Sequence, residues 1–460
     1  MADVQFKKTM GLLDLTLFTV SAIVLLDTLA ATSSIGVSSV SWWLLLAVFF
    51  ALPIGLITAE LGTAYPDQGG IYAWVRRAFG PRWAARAAWA YWINTAVWLP
   101  SIYVLFSGFA ARLFNLDLSL SEQIGISIGL VWVSVIVNCV ALEAGKWVPN
   151  IGAFLKIVVF VTIIVGGIGY GFTNGFANAF PAEAMTPVWS DSLKYLPAII
   201  YGMLGFELAC AGGAEVTNPK KDLPRAILLS GLIIIGLYVA GTVGVLAVLP
   251  AGDINLVEGL IDVLTLLFGS GPVGSAIVMG LGVATLYTFF SNGVTWALGC
   301  NRAMAQAAAE GEFPGFFGIM DKKHGAPVGS AIAMGVVCTV LLLAYGRIAT
   351  SNEDLFWGLF AFSAVIFMGP YLGLALSFFR LRTIDRAAPR PFRAPGGIAG
   401  AFILTALCVS ALLGAILLFF YVPGEGPQWA TIWGVIGAIL LGEVLISVAG
   451  VRRKIPKPAG

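Results

Sequence analysis

Charged residues are scarce in this sequence, at 11% against about 25% in soluble domains. It contains one histidine, His324, which effectively excludes a histidine-based metal site or catalytic triad. The five cysteines show no CxxC motif and no paired spacing, which favours buried apolar residues over disulfides or metal ligands. The sequence contains no Walker A motif, so ATP-driven transport is not expected. We therefore expect no enzyme, no cofactor and no nucleic-acid partner.

Apolar residues dominate instead, with 59% hydrophobic residues and a mean hydropathy of +0.92. This composition indicates a polytopic membrane protein. A membrane helix needs about 20 apolar residues, and twelve segments meet that need. They fall near 11–33, 40–64, 83–112, 121–142, 149–171, 192–214, 225–250, 273–309, 328–346, 354–379, 397–421 and 429–450. The even number predicts that both termini lie on one side.

The distribution of Lys and Arg predicts which side that is. With the N-terminus inside, only Arg112, Lys194 and Arg347 of the 26 basic residues fall outside, and Lys156 lies within a span. Basic loops stay on the cytoplasmic side, so the sequence predicts two cytoplasmic termini and a multi-pass protein of the bacterial inner membrane. Lys7 and Lys8 precede an apolar stretch, but no cleavable signal sequence is expected.

The sixth predicted span, at 192–214, contains an acidic residue and two glycines. Glu207 follows Gly202 and Gly205 in the stretch YGMLGFE. A carboxylate at bilayer depth is costly and marks a functional site by default, and glycines weaken a helix. Broken helices at the membrane midplane bind substrate in many secondary transporters. The alternative is that the glycines allow close helix packing and that Glu207 is a satisfied buried hydrogen-bonding group.

Two pairs of elements hint at an inverted repeat. The first span carries Asp27 and the sixth carries Glu207, so the first helix of each half holds an acid. A short amphipathic piece follows span 2 at 69–80 on the inside, and a counterpart follows span 7 at 253–269 on the outside. Inversion of five spans onto the next five places paired elements on opposite faces.

Four segments carry a family resemblance: AELGTAYPDQGGIYAWVRRAFGPRW (59–83), GFELACAGGAEVTNPKKDLPRA (205–226), LPAGDINL (249–256) and NRAMAQAAAEGEFPGFFGIMDKKHGAPV (301–328). With them the chain resembles the amino acid–polyamine–organocation superfamily of transporters, and more closely its glutamate/GABA and arginine/agmatine antiporter branches.

This resemblance implies an all-α membrane protein with 12 transmembrane helices. It also implies the five-plus-five inverted repeat of sodium-coupled neurotransmitter transporters, with substrate between broken helices 1 and 6. Residues 1–460 would then form a single transporter domain. Repeat one would cover about 11–171 and repeat two about 192–379, with two extra helices at about 397–450.

The first span departs from the family pattern. Most members carry a Gly-Ser-Gly-like stretch there, whose backbone N–H groups hold a substrate carboxylate, but this chain has AIVLLDT. Asp27 would stand near that position, which is unfavourable for an anion and favourable for an ammonium. A similar Asp-Thr pair occurs in putrescine-importer-like members. The alternative is that Asp27 caps the broken half-helix or pairs with a threonine.

Three further residues are carried over from the resemblance. Trp296 matches an aromatic residue over the substrate, Tyr201 an aromatic gate and Ser101 a polar substrate contact. Aromatic faces attract an ammonium by about 0.5–2 kcal/mol, although most aromatic residues here would serve in packing. The full set of candidate substrate-binding residues is Ala22, Ile23, Val24, Asp27, Thr28, Trp98, Ser101, Tyr201, Gly202, Met203, Gly205, Phe206 and Trp296.

Lys156 and Glu207 are the candidates for proton coupling. Lys156 resembles the span-5 lysine of proton-coupled relatives, whose ammonium stands where sodium-driven relatives bind sodium. Burial disfavours the charged form of both groups, so the pair could relay a proton. The alternative for Lys156 is that it extends its ammonium to the cytoplasmic surface.

These observations predict a secondary active transporter (permease) of amino acids or related amines, working by alternating access with proton coupling or exchange. An importer of polyamines or monoamines with Asp27 as its ammonium site is an alternative, and a non-transporting nutrient sensor is a third. The expected partners are the small-molecule substrate, protons and membrane lipids. The chain is expected to be a monomer or a homodimer.

Overall fold

The computed structural model describes residues 11–66, 70–140, 147–187, 194–211, 216, 218–269, 271–321 and 325–454. Lys7, Lys8 and His324 therefore lie outside the described residues, as do parts of the segments 59–83, 205–226 and 301–328.

The described residues are mainly helical. The helices are α1 (Leu12–Ile23), α2 (Leu26–Ser33), α3 (Ser38–Leu46), α4 (Leu52–Ala64), α5 (Ile71–Phe79), α6 (Pro81–Leu113), α7 (Leu120–Val140), α8 (Trp147–Asn174), α9 (Ala182–Met185), α10 (Leu196–Tyr201), α11 (Leu208–Ala211), α12 (Pro219–Val248), α13 (Gly259–Phe268), α14 (Pro272–Ala309), α15 (Val328–Tyr345), α16 (Asn352–Ile384), α17 (Gly397–Phe420) and α18 (Trp429–Lys454). A π-helical turn at Ala47–Ala51 joins α3 to α4, and 3₁₀ turns lie at Ala251–Asp253 and Gly315–Gly318. A small antiparallel pair, β1 (Tyr421–Val422) and β2 (Gly426–Pro427), links α17 to α18.

Within the described ranges, ten helices are long and apolar enough to cross a membrane, and the bent pair α1–α2 raises the number to eleven. The all-α membrane architecture is therefore confirmed. The predicted sixth span consists of the short helices α10 and α11, with the non-helical residues 202–207 between them. The total of twelve spans and the five-plus-five repeat stay predictions.

Helices α6 and α16 form the centre of the bundle. In each, 78% of the apolar window is buried inside the protein, against 22% in α7 and 28% in α17 and α18. The outer helices expose large apolar side chains, as membrane helices do where lipid replaces water as the solvent. The third and tenth predicted spans therefore meet at the centre of the bundle. Both contact the helix breaks of the candidate site, which are described below.

Both short amphipathic pieces form helices. The piece at 69–80 contains α5, with Gly70 and Gly80 at its ends, and the piece at 253–269 contains α13, which ends at Gly269. Their apolar faces are buried while Arg76 and Arg77 are exposed on α5, which follows from helical spacing of the apolar residues.

Candidate functional site

The breaks in the first and sixth spans pack against each other. Helix α1 ends at Ile23 and α2 resumes at Leu26, with a 56° bend between them. Gly205 has φ +119°, and a Cβ atom there would lie 2.7 Å from Cγ1 of Ile23. A Cβ atom at Gly202 would lie 2.8 Å from Cγ2 of Thr28. The two glycines are therefore required both by close approach and, at Gly205, by a backbone conformation that disfavours side chains.

Asp27 lies in the first turn of α2 with only 1% of its surface exposed. Its Oδ1 accepts hydrogen bonds from the backbone N–H of Thr28 at 2.7 Å and from the Thr28 hydroxyl at 3.3 Å. Its buried Oδ2 has no hydrogen-bond partner among the described residues. Trp98 lies beside the carboxylate, yet its indole N–H also has no partner in the described part of the chain. One oxygen thus pairs with Thr28, as one of the alternative interpretations required, while the other has no partner among the described residues.

Tyr238, on α12, closes the break in the first span. Its hydroxyl accepts a hydrogen bond from the backbone N–H of Leu25 at 2.9 Å and donates one to the carbonyl of Ile23 at 3.1 Å. The tyrosine is fully buried. Its ring stacks on Trp43 at a centroid distance of 4.4 Å and meets Phe160 edge-on at 6.2 Å. One side chain therefore satisfies two of the backbone groups that a helix break leaves without partners.

Glu207 is held by two tyrosines from the central helices. The hydroxyl of Tyr91, on α6, donates to Oε1 at 2.5 Å, and that of Tyr371, on α16, donates to Oε2 at 2.7 Å. Glu207 and Tyr371 are buried. Hydrogen bonds to an ionised acceptor are short and about twice as strong as neutral ones. The carboxylate therefore ties the sixth predicted span to the third and the tenth.

Lys156 does not reach the protein surface. It is 3% exposed, and its ammonium donates to the carbonyl of Ser21 at 2.8 Å and to Oδ1 of Asn292 at 3.0 Å. Ser21 belongs to α1 and Asn292 to α14. The ammonium therefore lies between the end of α1 and α14. Its neighbours are oxygen atoms, which are also the ligands that a hard metal cation prefers.

Aromatic side chains form a layer beside Asp27. This aromatic layer consists of Tyr91, Trp98, Tyr201, Trp296 and Phe367. Trp296 lies 6.4 Å from Trp98, 6.0 Å from Phe367 and 6.5 Å from Tyr91, and Tyr201 lies 5.7 Å from Phe367, all between ring centroids. Such edge-on and tilted pairs stabilise packing and also present ring faces that attract cations.

A cavity of about 1110 Å³ reaches from an exposed mouth to this layer. At the mouth, Arg76 forms a salt bridge of 3.0 Å with Glu310, and about half of the arginine side chain is exposed. At the inner end the cavity is lined by Glu207, Trp296 and Tyr91. Its size suits a small organic ligand, for which pockets of about 300–1,000 Å³ are typical.

The predicted site residues fall into two groups. Ala22, Glu207 and Trp296 line the cavity. Ser101 lies outside the lining, and its buried hydroxyl donates to the carbonyl of Trp98 on its own helix at 2.7 Å. The other predicted residues are buried at or near the two breaks rather than in the cavity lining: Ile23, Val24, Asp27, Thr28, Trp98, Lys156, Tyr201, Gly202, Met203, Gly205 and Phe206.

Sequence reasoning missed the partners of the acidic and basic groups. Tyr91, Tyr371, Tyr238 and Asn292 each lie in an apolar helix, where a polar side chain needs a hydrogen-bond partner. That requirement indicates that these side chains have hydrogen-bond partners, but it does not show which residues the partners are. With 12 tyrosines in the chain, only the packing of the helices shows which ones meet the acids.

A second buried ion cluster was also missed. Glu60 on α4 is 1% exposed and binds the guanidinium of Arg382 through both carboxylate oxygens. Arg390 lies 3.1 Å from the same carboxylate, and the backbone N–H of Ala394 donates to it at 2.7 Å. The loop after α16, which carries Arg390 and Ala394, therefore helps to anchor α4 to α16.

Known proteins with similar sequences are transporters. A sequence model described as amino acid permease matches residues 10–442. The probable agmatine/putrescine antiporter of Lactococcus lactis is 31% identical over 448 residues, which cover 96% of this chain and 95% of that protein.

Two further relatives match most of the chain. An uncharacterized transporter of Legionella pneumophila is 27% identical over 428 residues, with 92% of this chain and 91% of that protein covered. The glutamate/gamma-aminobutyrate antiporter of Lactococcus lactis is 23% identical over 393 residues, with 83% and 78% covered.

Proposed function

The chain belongs to the amino acid permease family, a family of transporters rather than enzymes, and on that premise we propose that it exchanges small cationic amines of the agmatine and putrescine type by alternating access. The observation that carries the proposal is the unpartnered Oδ2 of Asp27, buried at the break in the first span. The relative named as a probable agmatine/putrescine antiporter supports the same substrate class.

A buried carboxylate oxygen without a partner is costly, and an ammonium or guanidinium group would remove that cost. A charge-assisted hydrogen bond to this oxygen contributes about 1.5–3 kcal/mol. Trp98, through its indole N–H, and Tyr201 both lie near Asp27, and aromatic rings near a bound cation attract it. A cationic amine therefore fits this position better than a neutral or anionic ligand.

Access to Asp27 requires a conformational change. In this structure the cavity ends at Tyr91, Glu207 and Trp296, and Asp27 lies outside its lining. The basic residues of the loops predict that α5 is cytoplasmic. Because α5 lines the cavity, we assign the cavity to the cytoplasmic side. Movement of Trp296 and separation of Glu207 from its tyrosines would then connect Asp27 to the cavity, which is the gating step of alternating access.

Proton coupling is the second part of the proposal. Lys156 occupies a position among oxygen atoms of Ser21 and Asn292, and a positive charge there repels a sodium ion. Glu207 is a buried acid at the inner end of the cavity, so protons can reach it from the exposed mouth. We therefore propose that the ion transported together with the amines, where there is one, is a proton and not sodium.

Exchange of an amino acid for its decarboxylation product is the second candidate. The glutamate/gamma-aminobutyrate antiporter among the relatives favours it. A carrier of that kind must accept a substrate with an α-carboxylate in one direction of transport, which separates the two candidates experimentally.

Counterflow in proteoliposomes tests the proposed function. Purified protein is reconstituted with unlabelled putrescine inside, and uptake of labelled agmatine is followed. We expect uptake that depends on internal putrescine and is absent from protein-free liposomes. Uptake of glutamate with no uptake of agmatine would contradict the proposal and support the second candidate.

A further inference from the structure

Part of the hydrogen-bonding capacity of the backbone at the first-span break is taken up by the protein itself. The N–H of Val24 still donates to the carbonyl of Val20 at 3.0 Å. The N–H of Leu25 donates to the hydroxyl of Tyr238 at 2.9 Å, and that of Thr28 donates to Oδ1 of Asp27 at 2.7 Å. These three donors are occupied by the protein itself, whereas the N–H groups of Leu26 and Asp27, in the first turn of α2, have no hydrogen-bond partner among the described residues.

This occupancy matters because half-helix N-termini bind anionic substrate groups in secondary transporters. Free N–H groups and the positive end of the helix dipole attract a carboxylate. At α2 the tyrosine hydroxyl and the aspartate take that role. The aspartate also adds a buried negative charge, which repels a second carboxylate.

Tyr238 is held in place independently of any ligand. Its ring is stacked on Trp43 of α3 and meets Phe160 of α8, so the hydroxyl cannot turn away without disturbing three helices. A hydroxyl can donate one hydrogen bond and accept others, and here it serves Leu25 and Ile23 at the same time. At Leu25 the break therefore presents a rigid hydroxyl from the seventh predicted span in place of a free backbone donor.

We propose that Tyr238 is a specificity-determining positioning residue that, together with Asp27, makes the first-span break reject α-carboxylates. The substrate class follows: cationic amines that lack a carboxylate next to the amino group. This inference rests on the proposed function and deepens it, because it names the feature of the substrate that is excluded and the side chain that excludes it.

Pairs of ligands that differ only by the α-carboxylate test the inference. Agmatine is compared with arginine, and putrescine with ornithine, as competitors of labelled agmatine uptake in proteoliposomes. In the wild type, each amine should compete at least about tenfold better than its amino acid, since a lost hydrogen bond and a like-charge contact oppose the carboxylate.

Tyr238→Phe removes only the hydroxyl and leaves the N–H of Leu25 open to a carboxylate. The preference for agmatine over arginine should shrink by about three- to tenfold in this variant. Tyr345→Phe is the matched control, because it also removes one buried hydroxyl–carbonyl bond, to Ala430 at 2.9 Å, far from the break in sequence. Its preference should equal that of the wild type.

Asp27→Asn provides a second variant should Tyr238→Phe fail to fold, and it should narrow the same preference. Equal competition by amine and amino acid in the wild type would overturn the inference while leaving the transporter proposal intact. An unchanged preference in Tyr238→Phe, or an equal loss of affinity for both ligands of a pair, would also overturn it. If the wild type exchanges none of the four ligands, the proposed function itself fails.

Discussion

Glu207→Gln is the substitution that most directly tests how the sixth span works. The change keeps the size of the side chain and removes its charge. In the native protein both carboxylate oxygens accept a tyrosine hydroxyl, at 2.5 Å from Tyr91 and 2.7 Å from Tyr371. The amide of glutamine has one acceptor oxygen, and its NH₂ group can only donate. One of the two tyrosines must therefore rotate its hydroxyl or lose its partner.

The size of the effect follows from these two contacts. A hydrogen bond to a charged group contributes about 1.5–3 kcal/mol and a neutral one about 0.5–1.5 kcal/mol. Replacing two of the first kind by two of the second weakens the contact by about 2 kcal/mol. This is about a thirtyfold change in the equilibrium between conformations that have the contact and those that lack it. Binding of substrate at Asp27 should survive, because Glu207 is bonded to tyrosines and not to Asp27.

The assay is exchange of labelled agmatine in proteoliposomes from about pH 5 to about pH 8, the range in which a buried acid can change its charge. Exchange by the wild type should depend on pH, and the profile of Glu207→Gln should be flat because glutamine does not titrate. Tyr91→Phe and Tyr371→Phe are the controls. Each weakens the contact by one hydrogen bond but keeps the carboxylate, so each should retain a pH-dependent profile.

Two results would refute this reasoning. A wild-type pH profile in Glu207→Gln would return Glu207 to a purely structural role. A flat profile in Tyr371→Phe would show that the contact, and not the charge, is what responds to pH.

Three further predictions test the other parts of the site. Asp27→Asn should weaken amine binding by about ten- to a hundredfold with no effect on N-acetyl analogues, and an equal loss for both ligands would count against an ammonium site. Gly205→Ala should lower thermal stability and exchange, because its φ of +119° and the nearby Ile23 disfavour a Cβ atom, whereas Gly280→Ala, which meets open space, should do neither. Replacing Na⁺ by choline should leave exchange unchanged if the ammonium of Lys156 stands in for a cation, and a strict Na⁺ requirement would contradict that role.

The first and sixth predicted spans show how much of the candidate site could be predicted from the sequence. Asp27 and Glu207 were singled out because an acid in an apolar run needs a reason, and both are buried at helix breaks. Gly202 and Gly205 marked the second break for the same kind of local reason. For Asp27 the structure shows that pairing with Thr28 and an oxygen without a partner among the described residues coexist, where the sequence offered a threonine pair and a ligand site as alternatives.

Ser101 shows what position along the chain does not give. Its match to a family substrate contact stays a prediction, and only the packing shows that its hydroxyl donates to the carbonyl of Trp98. Lys156 likewise had two possible directions, toward the surface or inward. The oxygen atoms of Ser21 and Asn292 decide between them in the folded protein.

Membrane class, helical architecture and the positions of the buried acids were determined by the sequence alone, because hydrophobic length and the cost of charge in lipid are local properties of the chain. Tertiary structure alone decided which side chains satisfy those acids and the broken backbone. Tyr371 lies 164 residues from Glu207, and Tyr238 lies 213 residues from Leu25. Such pairs form only when the helices pack, and a single sequence contains no record of which faces meet.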